Sequence, residues 1–397
     1  MNRLKTVSFA GVAGLFALVT FWGGSERLGE SHPLPLLPSG QHLGYIVGFN
    51  PDNPPFLQDV IEDCWRQARQ RGMQTARVQM DWTDVEPEAG VMLPGELAER
   101  LAEFEEQGMP VFLLLTSADS DALNYPADLL AEDGGRFAEG MRPNDPRIID
   151  RYNQMLQAVL PIARDYGVYC IAVGNEPDTH NEADPQFMND FLDFVAAVRE
   201  HAQSIAPEVA ITYTSTVEPI LSNTNYGHRI AEVVDVLCFN LYAQGGPGGF
   251  DQAATQAALE GILALDPHKP VLLQELGCSS AYLADKHFVF YESRPEIQAT
   301  FLDWVFNQIL AHPRVRAAYI FQLVENGPVV DAYWREALSV EELSEEWIDQ
   351  MVESFDKLGL IEFETGEKKP GWHVFLDGLE RFHAQRQSAI EDRALLD

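Results

Sequence analysis

The chain has 397 residues, enough for one large domain with additions or two smaller ones, and for a core that needs no disulfide or structural metal. Its 27 Lys and Arg residues stand against 61 Asp and Glu, a formal net charge of -34, and only six of the basic residues are Lys (Lys5, Lys269, Lys286, Lys357, Lys368 and Lys369). A field of that sign argues against nucleic acid, anionic lipid surfaces and, unless a cleft is locally basic, highly anionic polymers as partners; it resembles the surface of proteins from saline habitats as much as a general solubility device.

Asn2 to Lys5 form a short basic stretch, and Thr6 to Gly24 follow as an uncharged apolar run, the layout of an export signal. No A-x-A-like cleavage site and no lipid-accepting cysteine follows, so residues 1–30 read as a signal peptide or a membrane anchor, with the tether at residues 6–24 and a borderline length for crossing a bilayer. The expected location is exported: periplasmic, extracellular or membrane-anchored. Residues 31–41 contain the Pro-rich Ser31 to Ser39 and read as a linker.

From His42 onward, short apolar runs alternate with helical patterns. Near-continuous apolarity marks parallel strands covered on both faces. The predicted strands are Leu43 to Phe49, Thr75 to Met80, Pro110 to Leu115, Tyr169 to Val173, Val209 to Thr214, Val234 to Phe239, Pro270 to Leu273 and Ala317 to Phe321. Between them, helical periodicity covers Phe56 to Gln70, Glu96 to Gln107, Arg147 to Tyr166, Pro185 to Ile205, a short link near Tyr226 to Glu232, Gln252 to Leu265 and Pro295 to Ala311. An acidic amphipathic helix follows near Val340 to Leu358, then a last helix from about Trp372 to Gln385.

Eight strand–helix units in series predict an α/β fold, a (β/α)8 TIM barrel forming a single domain over residues 42–385, with extra C-terminal helices and an acidic tail at 386–397. A doubly wound sheet usually carries a Gly-rich phosphate turn after its first strand, and none follows Phe49. Gly245 to Gly249 is Gly-rich but comes after the sixth strand and reads as a flexible rim loop. Cys170 and Cys238 fall inside apolar runs and read as small buried hydrophobes; none of the four cysteines forms a CxxC pair, and no disulfide is expected.

Active sites of such barrels form at the carboxyl ends of the strands. The fourth strand runs into Gly174-Asn175-Glu176-Pro177, and the seventh into Gln274-Glu275-Leu276. The fourth and seventh strands lie across a barrel from one another, so Glu176 and Glu275 can face each other over the central pit. Two facing carboxyl groups are the minimum apparatus for cleaving a glycosidic bond: one protonated to assist the leaving oxygen, the other ionised to attack or to activate water. A single strand-end Glu is more often a solvated or ion-paired residue; the pair, one of them within Asn-Glu-Pro, is far less common by chance.

On these motifs the chain resembles clan A of the retaining glycoside hydrolases, over nearly the whole segment from Gly44 to Leu379, with a texture similar to families five and thirty-nine. The resemblance implies a β-glycosidase that works by double displacement, with Glu176 as general acid/base and Glu275 as nucleophile. Asn175 then matches the residue that binds the sugar 2-hydroxyl. Arg77, in the run Arg77…Trp82…Glu86-Pro87…Gly90, matches the cation beneath the nucleophile, Tyr242 the hydroxyl donor to the nucleophile, and Asn240 a further contact. Phe321 or Gln322 stands where many members carry a Trp beneath the sugar. Lys369-Pro370-Gly371-Trp372 resembles the clan's closing Lys-Pro-x-aromatic segment, with a structural role only. The implied substrate is an oligo- or polysaccharide, and no cofactor is called for. A rival reading keeps the barrel as a non-catalytic or weakly catalytic carbohydrate-binding protein in envelope polysaccharide assembly. A metal hydrolase would need His-rich strand ends, whereas the ten His residues are scattered and no H-E-x-x-H occurs.

Overall fold

The computed structural model describes residues 38 and 40–394, apart from positions 49, 52, 121, 133, 183–185 and 340–342. The export segment expected at residues 1–30 and most of the linker lie outside the described residues. Among the described residues, no helix is long and apolar enough to cross a membrane.

Eight parallel strands form a nearly closed barrel: β1 (His42–Ile46), β2 (Ala76–Asp81), β3 (Val111–Thr116), β4 (Val168–Asn175), β5 (Ala210–Ser215), β6 (Leu237–Tyr242), β7 (Val271–Gly277) and β8 (Val315–Phe321). Each pairs with its successor from β2 to β8, and β8 pairs with β1. β1 and β2 lie side by side at the seam. Around them run α1 (Pro55–Gln70), α2 (Gly95–Glu105), α3 (Pro146–Asp165), α4 (Phe187–Ile205), α5 (Thr224–Val233), α6 (Gln252–Ala264) and α7 (Pro295–Ala311). Three more helices complete the domain: α8 (Pro328–Ser339), α9 (Glu345–Asp356) and α10 (Pro370–Ala394).

The strands sort their side chains by the two-residue period of the pleat. Leu113 and Leu115 of β3, Ile171 and Val173 of β4, and Ala318 and Ile320 of β8 face the helices and join the main core. Phe112 and Leu114, Cys170 and Ala172, Leu272, Ala317 and Tyr319 face inward and form a separate cluster inside the barrel. There the Tyr319 and Tyr169 hydroxyls meet at 2.9 Å, Thr75 Oγ1 lies 2.8 Å from Tyr319, and the Phe112 ring stacks against both tyrosines. The interior is therefore packed solid toward its amino-terminal end, with each of these buried hydroxyls satisfied. All four cysteines are buried free thiols, and burial pushes Cys64 and Cys238 up to about 12, so they stay protonated and act as packing residues.

Several boundaries differ from expectation for identifiable reasons. β6 begins at Leu237 instead of Val234, because the Asp235 carboxylate leaves the apolar run to accept from Ile211 N at 2.9 Å and from Arg199 Nε at 2.6 Å. Asn240 and Tyr242 thereby fall inside the strand. β7 continues through Glu275 to Gly277. Helix α8 was not expected; it is held by Trp334 against Phe355, with ring centroids 4.9 Å apart, and by Leu338 in a small cluster with Ile348 and Val352 of α9. α9 starts at Glu345 because the Ser344 hydroxyl caps it, accepting from Trp347 N at 3.2 Å. α10 runs on past Gln385, docked by Arg386, whose guanidinium donates to the carbonyls of Gln41 and Gly72 at 2.7 and 2.8 Å. The Gly245 to Gly249 loop is not loose: Gly246 pairs with Gly249, and a Cβ on Gly245 would collide with the Leu283 carbonyl, so only glycine permits that approach.

The net charge of -34 has a thermodynamic consequence. Like charges confined to one compact body repel, and salt screens them: the Debye length falls from about 10 Å at 0.1 M to about 3 Å at 1 M. The melting temperature is expected to rise by several degrees between those concentrations of KCl, as measured by thermal scans. A flat or falling trend would show that self-repulsion does not govern stability.

Candidate active site

The mouth of the barrel rests on a buried hub. Trp82, fully buried, packs against Tyr125 and Tyr152 at ring distances of 5.3 and 4.9 Å. Its Nε1 donates to Glu86 at 2.8 Å, and Glu86 also accepts from Gly90 N at 2.7 Å and Arg151 Nε at 2.5 Å. The Trp…Glu-Pro…Gly run thus braces the loop after β2, and Trp82 is a packing residue. Lys369 is likewise structural: buried, it donates to Gly359 O at 2.8 Å and Ser280 Oγ at 2.9 Å and pairs with Glu325, while Trp372 beyond it is fully buried.

Glu275 sits in β7 at a bulge. Leu273 and Leu276 both face the helices, and the register against β6 and β8 slips between them. Two consecutive side chains, Gln274 and Glu275, consequently turn toward the barrel axis, which an unbroken strand would forbid. Glu176 follows the last residue of β4 with a left-handed backbone, φ 46°, and its amide donates to Thr214 O at 2.8 Å. Such a conformation is uncommon for a residue with a Cβ and is characteristic of functional sites. Behind it, buried Asp178 accepts from Thr216 N and its hydroxyl, tying the Glu176 turn to the end of β5.

The structure brings six of the eight predicted site residues into one bonded or ion-paired group. The Tyr242 hydroxyl donates to Glu275 Oε2 at 2.6 Å, and Arg77 Nη2 lies 3.7 Å from Glu275 Oε1, both buried side chains in ion-pair contact. Asn240 Nδ2 donates to Glu176 Oε1 at 2.7 Å and to Asn175 Oδ1 at 3.2 Å. Phe321 stands beside the group, edge-on to the Tyr242 ring at 6.1 Å, and a cis peptide joins it to Gln322. Gln322 is buried and donates to Asn326 Oδ1 at 3.0 Å, away from the hydrogen bonds of the two glutamates.

Sequence reasoning missed two members. Gln274 Nε2 donates to Asn175 Oδ1 at 2.7 Å and to Glu275 Oε1 at 3.3 Å, while its Oε1 accepts from the Thr214 hydroxyl. Asp119 accepts from Asn175 Nδ2 at 2.8 Å and from Gln79 Nε2 at 3.0 Å. Gln274 was visible beside Glu275, but period-two alternation allows only one of two neighbours to face the pit; Gln274 is in step with inward-facing Leu272, and the bulge brings Glu275 in beside it. Asp119 stands three residues beyond the end of β3, too far along the chain for a strand-end rule to find.

The electrostatics separate the two glutamates. Burial, followed by the nearby Glu275 charge, pushes Glu176 well above the usual carboxylate range, against the pull of its hydrogen bond from Asn240. Burial also raises Glu275, but the Arg77 charge and the Tyr242 hydroxyl hold it down. Of the two, Glu176 is the more strongly biased toward its protonated form. Arg77 remains charged despite burial that lowers it, with Glu275 and Asp119 as its opposing anions. Among the described residues, no group of His, Cys, Asp and Glu side chains is placed to hold a metal ion.

The fold is shared with solved structures of glycoside hydrolases. The GH5_18 protein from Streptomyces cattleya, solved with GlcNAc, superposes with a TM-score of 0.62 at 18% identity, covering 87% of this chain and 81% of its own; a point variant of that protein was solved with Manb1-4GlcNAc. The exo-beta-1,4-mannosidase Op5Man5 from Opitutaceae bacterium strain TAV5 matches with a TM-score of 0.60 at 16% identity, over 91% of this chain and 63% of that one. Xylanase 10B from Thermotoga maritima matches with a TM-score of 0.55 at 14% identity, over 87% and 97%. At these identities the likeness is one of fold. No protein-family model and no curated protein sequence matches the chain.

Proposed function

We propose that the protein is a retaining β-glycoside hydrolase acting by double displacement on a neutral oligo- or polysaccharide, with Glu275 as nucleophile and Glu176 as general acid/base. The observation that carries this reading is the unequal setting of two neighbouring carboxyl groups at one barrel mouth: one paired with Arg77 and Tyr242, the other bonded only to an amide and pushed upward by burial.

In the first step Glu275 Oε attacks the anomeric carbon while Glu176 gives its proton to the departing oxygen. Loss of the Glu275 charge then removes a repulsion that had raised Glu176 and leaves Glu176 an anion. In the second step it takes a proton from water, which attacks the glycosyl-enzyme ester and regenerates Glu275. Arg77 and Tyr242 keep Glu275 ionised and on axis. Asn175 has a second Nδ2 hydrogen, beyond the one given to Asp119, to offer a sugar 2-hydroxyl in the transition state. Phe321 supplies the apolar face beneath the sugar, and Gln322 flanks it.

Substrate charge follows from the pit. Glu275 and Asp119 face one guanidinium, so an anionic sugar would meet net repulsion. The fold neighbours named for mannosides make an aryl β-mannoside the first compound to try. The N-terminal apolar run supports a site of action outside the cytoplasm, on secreted or surface glycans.

The test is a panel of aryl β-mannoside, glucoside, galactoside and xyloside assayed with the wild type and Glu275→Gln, with the anomer of the first product read by NMR. Turnover of at least one substrate by the wild type alone, releasing the β-anomer first, is expected. Equal signals from the two proteins, or release of the α-anomer, would sink the reading.

A further inference from the structure

Asn175 holds a junction between the two glutamates. Its Oδ1 accepts from Asn240 Nδ2 at 3.2 Å and from Gln274 Nε2 at 2.7 Å. Each of those amides also donates to one catalytic carboxyl: Asn240 to Glu176 at 2.7 Å, Gln274 to Glu275 at 3.3 Å. A single oxygen atom therefore aims both donors. An amide is nearly symmetric in shape, so something must decide which end faces the junction. Were Asn175 reversed, its NH2 would meet two other NH2 groups and all three bonds would be lost.

We infer that Asp119 is the positioning residue that fixes this polarity: as an obligate acceptor it holds Asn175 Nδ2 and so keeps Asn175 Oδ1 on the side of Asn240 and Gln274. The inference rests on the functional reading above for what the two glutamates do, but the network itself is a separate matter. Asp119 is built into place. Its two-residue strand Ala118–Asp119 bridges to Asn175 of β4, and Ser120 N, on a residue with φ 52°, donates to Asn175 O at 2.8 Å. Its second oxygen takes the Gln79 amide at 3.0 Å, and Gln79 Oε1 in turn accepts from Arg77 Nη2 at 2.9 Å. Backbone and side chain of Asn175 are thus both held by this one short segment.

Burial raises the Asp119 carboxyl, against the pull of Asn175, Arg77 and Gln79; ionised, it adds a negative charge that both glutamates feel. Facing Glu176 are Glu275, Asp178 and Asp119; facing Glu275 are Arg77, Tyr242, Gln274 and Asp119; facing Asp119 are Arg77, Gln79 and Asn175, with Asp81 nearby. Removing the charge relieves repulsion on both glutamates and leaves Arg77 to act on Glu275 alone. Both carboxyls should then release their protons at lower pH.

The experiment compares Asp119→Asn, which keeps an acceptor but no charge, with Asp119→Ala, which keeps neither. Asp119→Ala is expected to lose roughly 10²-fold in kcat with a smaller change in KM, since the donors to both carboxyls go astray. Asp119→Asn is expected to recover part of that loss, with both limbs of its pH–rate profile moved to lower pH. The same titrations are followed without turnover by carbon-13 NMR of the Glu176 and Glu275 carboxyls in each folded variant. Unshifted titrations in Asp119→Asn, or wild-type kcat in Asp119→Ala, would overturn the inference. A wild type that cleaves no glycoside would remove the functional reading instead, and the NMR titration would still decide the network.

Discussion

Glu275→Ala is expected to lower kcat by about 10⁴-fold or more while the protein remains folded, and added azide is expected to restore turnover as a glycosyl azide of inverted configuration. The size of the loss follows from the step removed. Without the carboxylate no covalent ester forms, and water has no base on that face of the sugar. The vacancy left by the side chain, beside Arg77 and the Tyr242 hydroxyl, suits a small anion; the cation and the donor that held Glu275 within 3.7 and 2.6 Å would hold azide instead. Azide attacking from there displaces the leaving group once, and one displacement inverts. Substantial residual activity, or an azide product of retained configuration, would show that Glu275 is not the nucleophile.

Glu176→Ala is expected to separate substrates by their leaving groups. Dinitrophenyl glycosides need little proton assistance and should keep most of their rate of bond breaking, whereas alkyl or sugar leaving groups should lose about 10²–10⁴-fold. The pH profile gives a second readout. On the proposed mechanism, wild-type activity is expected to rise as Glu275 ionises and to fall as Glu176 loses its proton. Since Glu176 is the one pushed well above the usual carboxylate range, it is expected to set the alkaline limb. That limb should disappear in Glu176→Ala, leaving the acid limb of Glu275. Equal losses on both kinds of leaving group would refute the role given to Glu176.

The barrel could be read from the sequence because parallel strands buried on both faces leave unbroken apolar runs, and all eight runs overlap the strands they predict. Glu176 and Glu275 were legible because a charged residue after such a run breaks it abruptly. What stayed hidden depends on departures from regular geometry. The β7 bulge lets Gln274 and Glu275 face inward together against the pleat's alternation, and no residue type announces a bulge. Asp119 comes into range because its short strand pairs in parallel with the end of β4, opposite Asn175. The start of β6 was misplaced because Asp235, a charged residue, bonds to strand β5 at the edge of an apolar run. Helix α8 belongs to no strand–helix unit; it packs through Trp334 and Leu338 on another peripheral helix.

The plug formed by Phe112, Tyr169 and Tyr319 has an implication for traffic. Among the described residues, this cluster closes the barrel behind its mouth. A polymer cannot be threaded through it; it must lie across the rim or lower one end in. On the proposed reaction, whatever fragment remains at the floor after cleavage has to climb out past the route of the next arrival, so a released sugar should block the entry of fresh substrate and inhibit competitively.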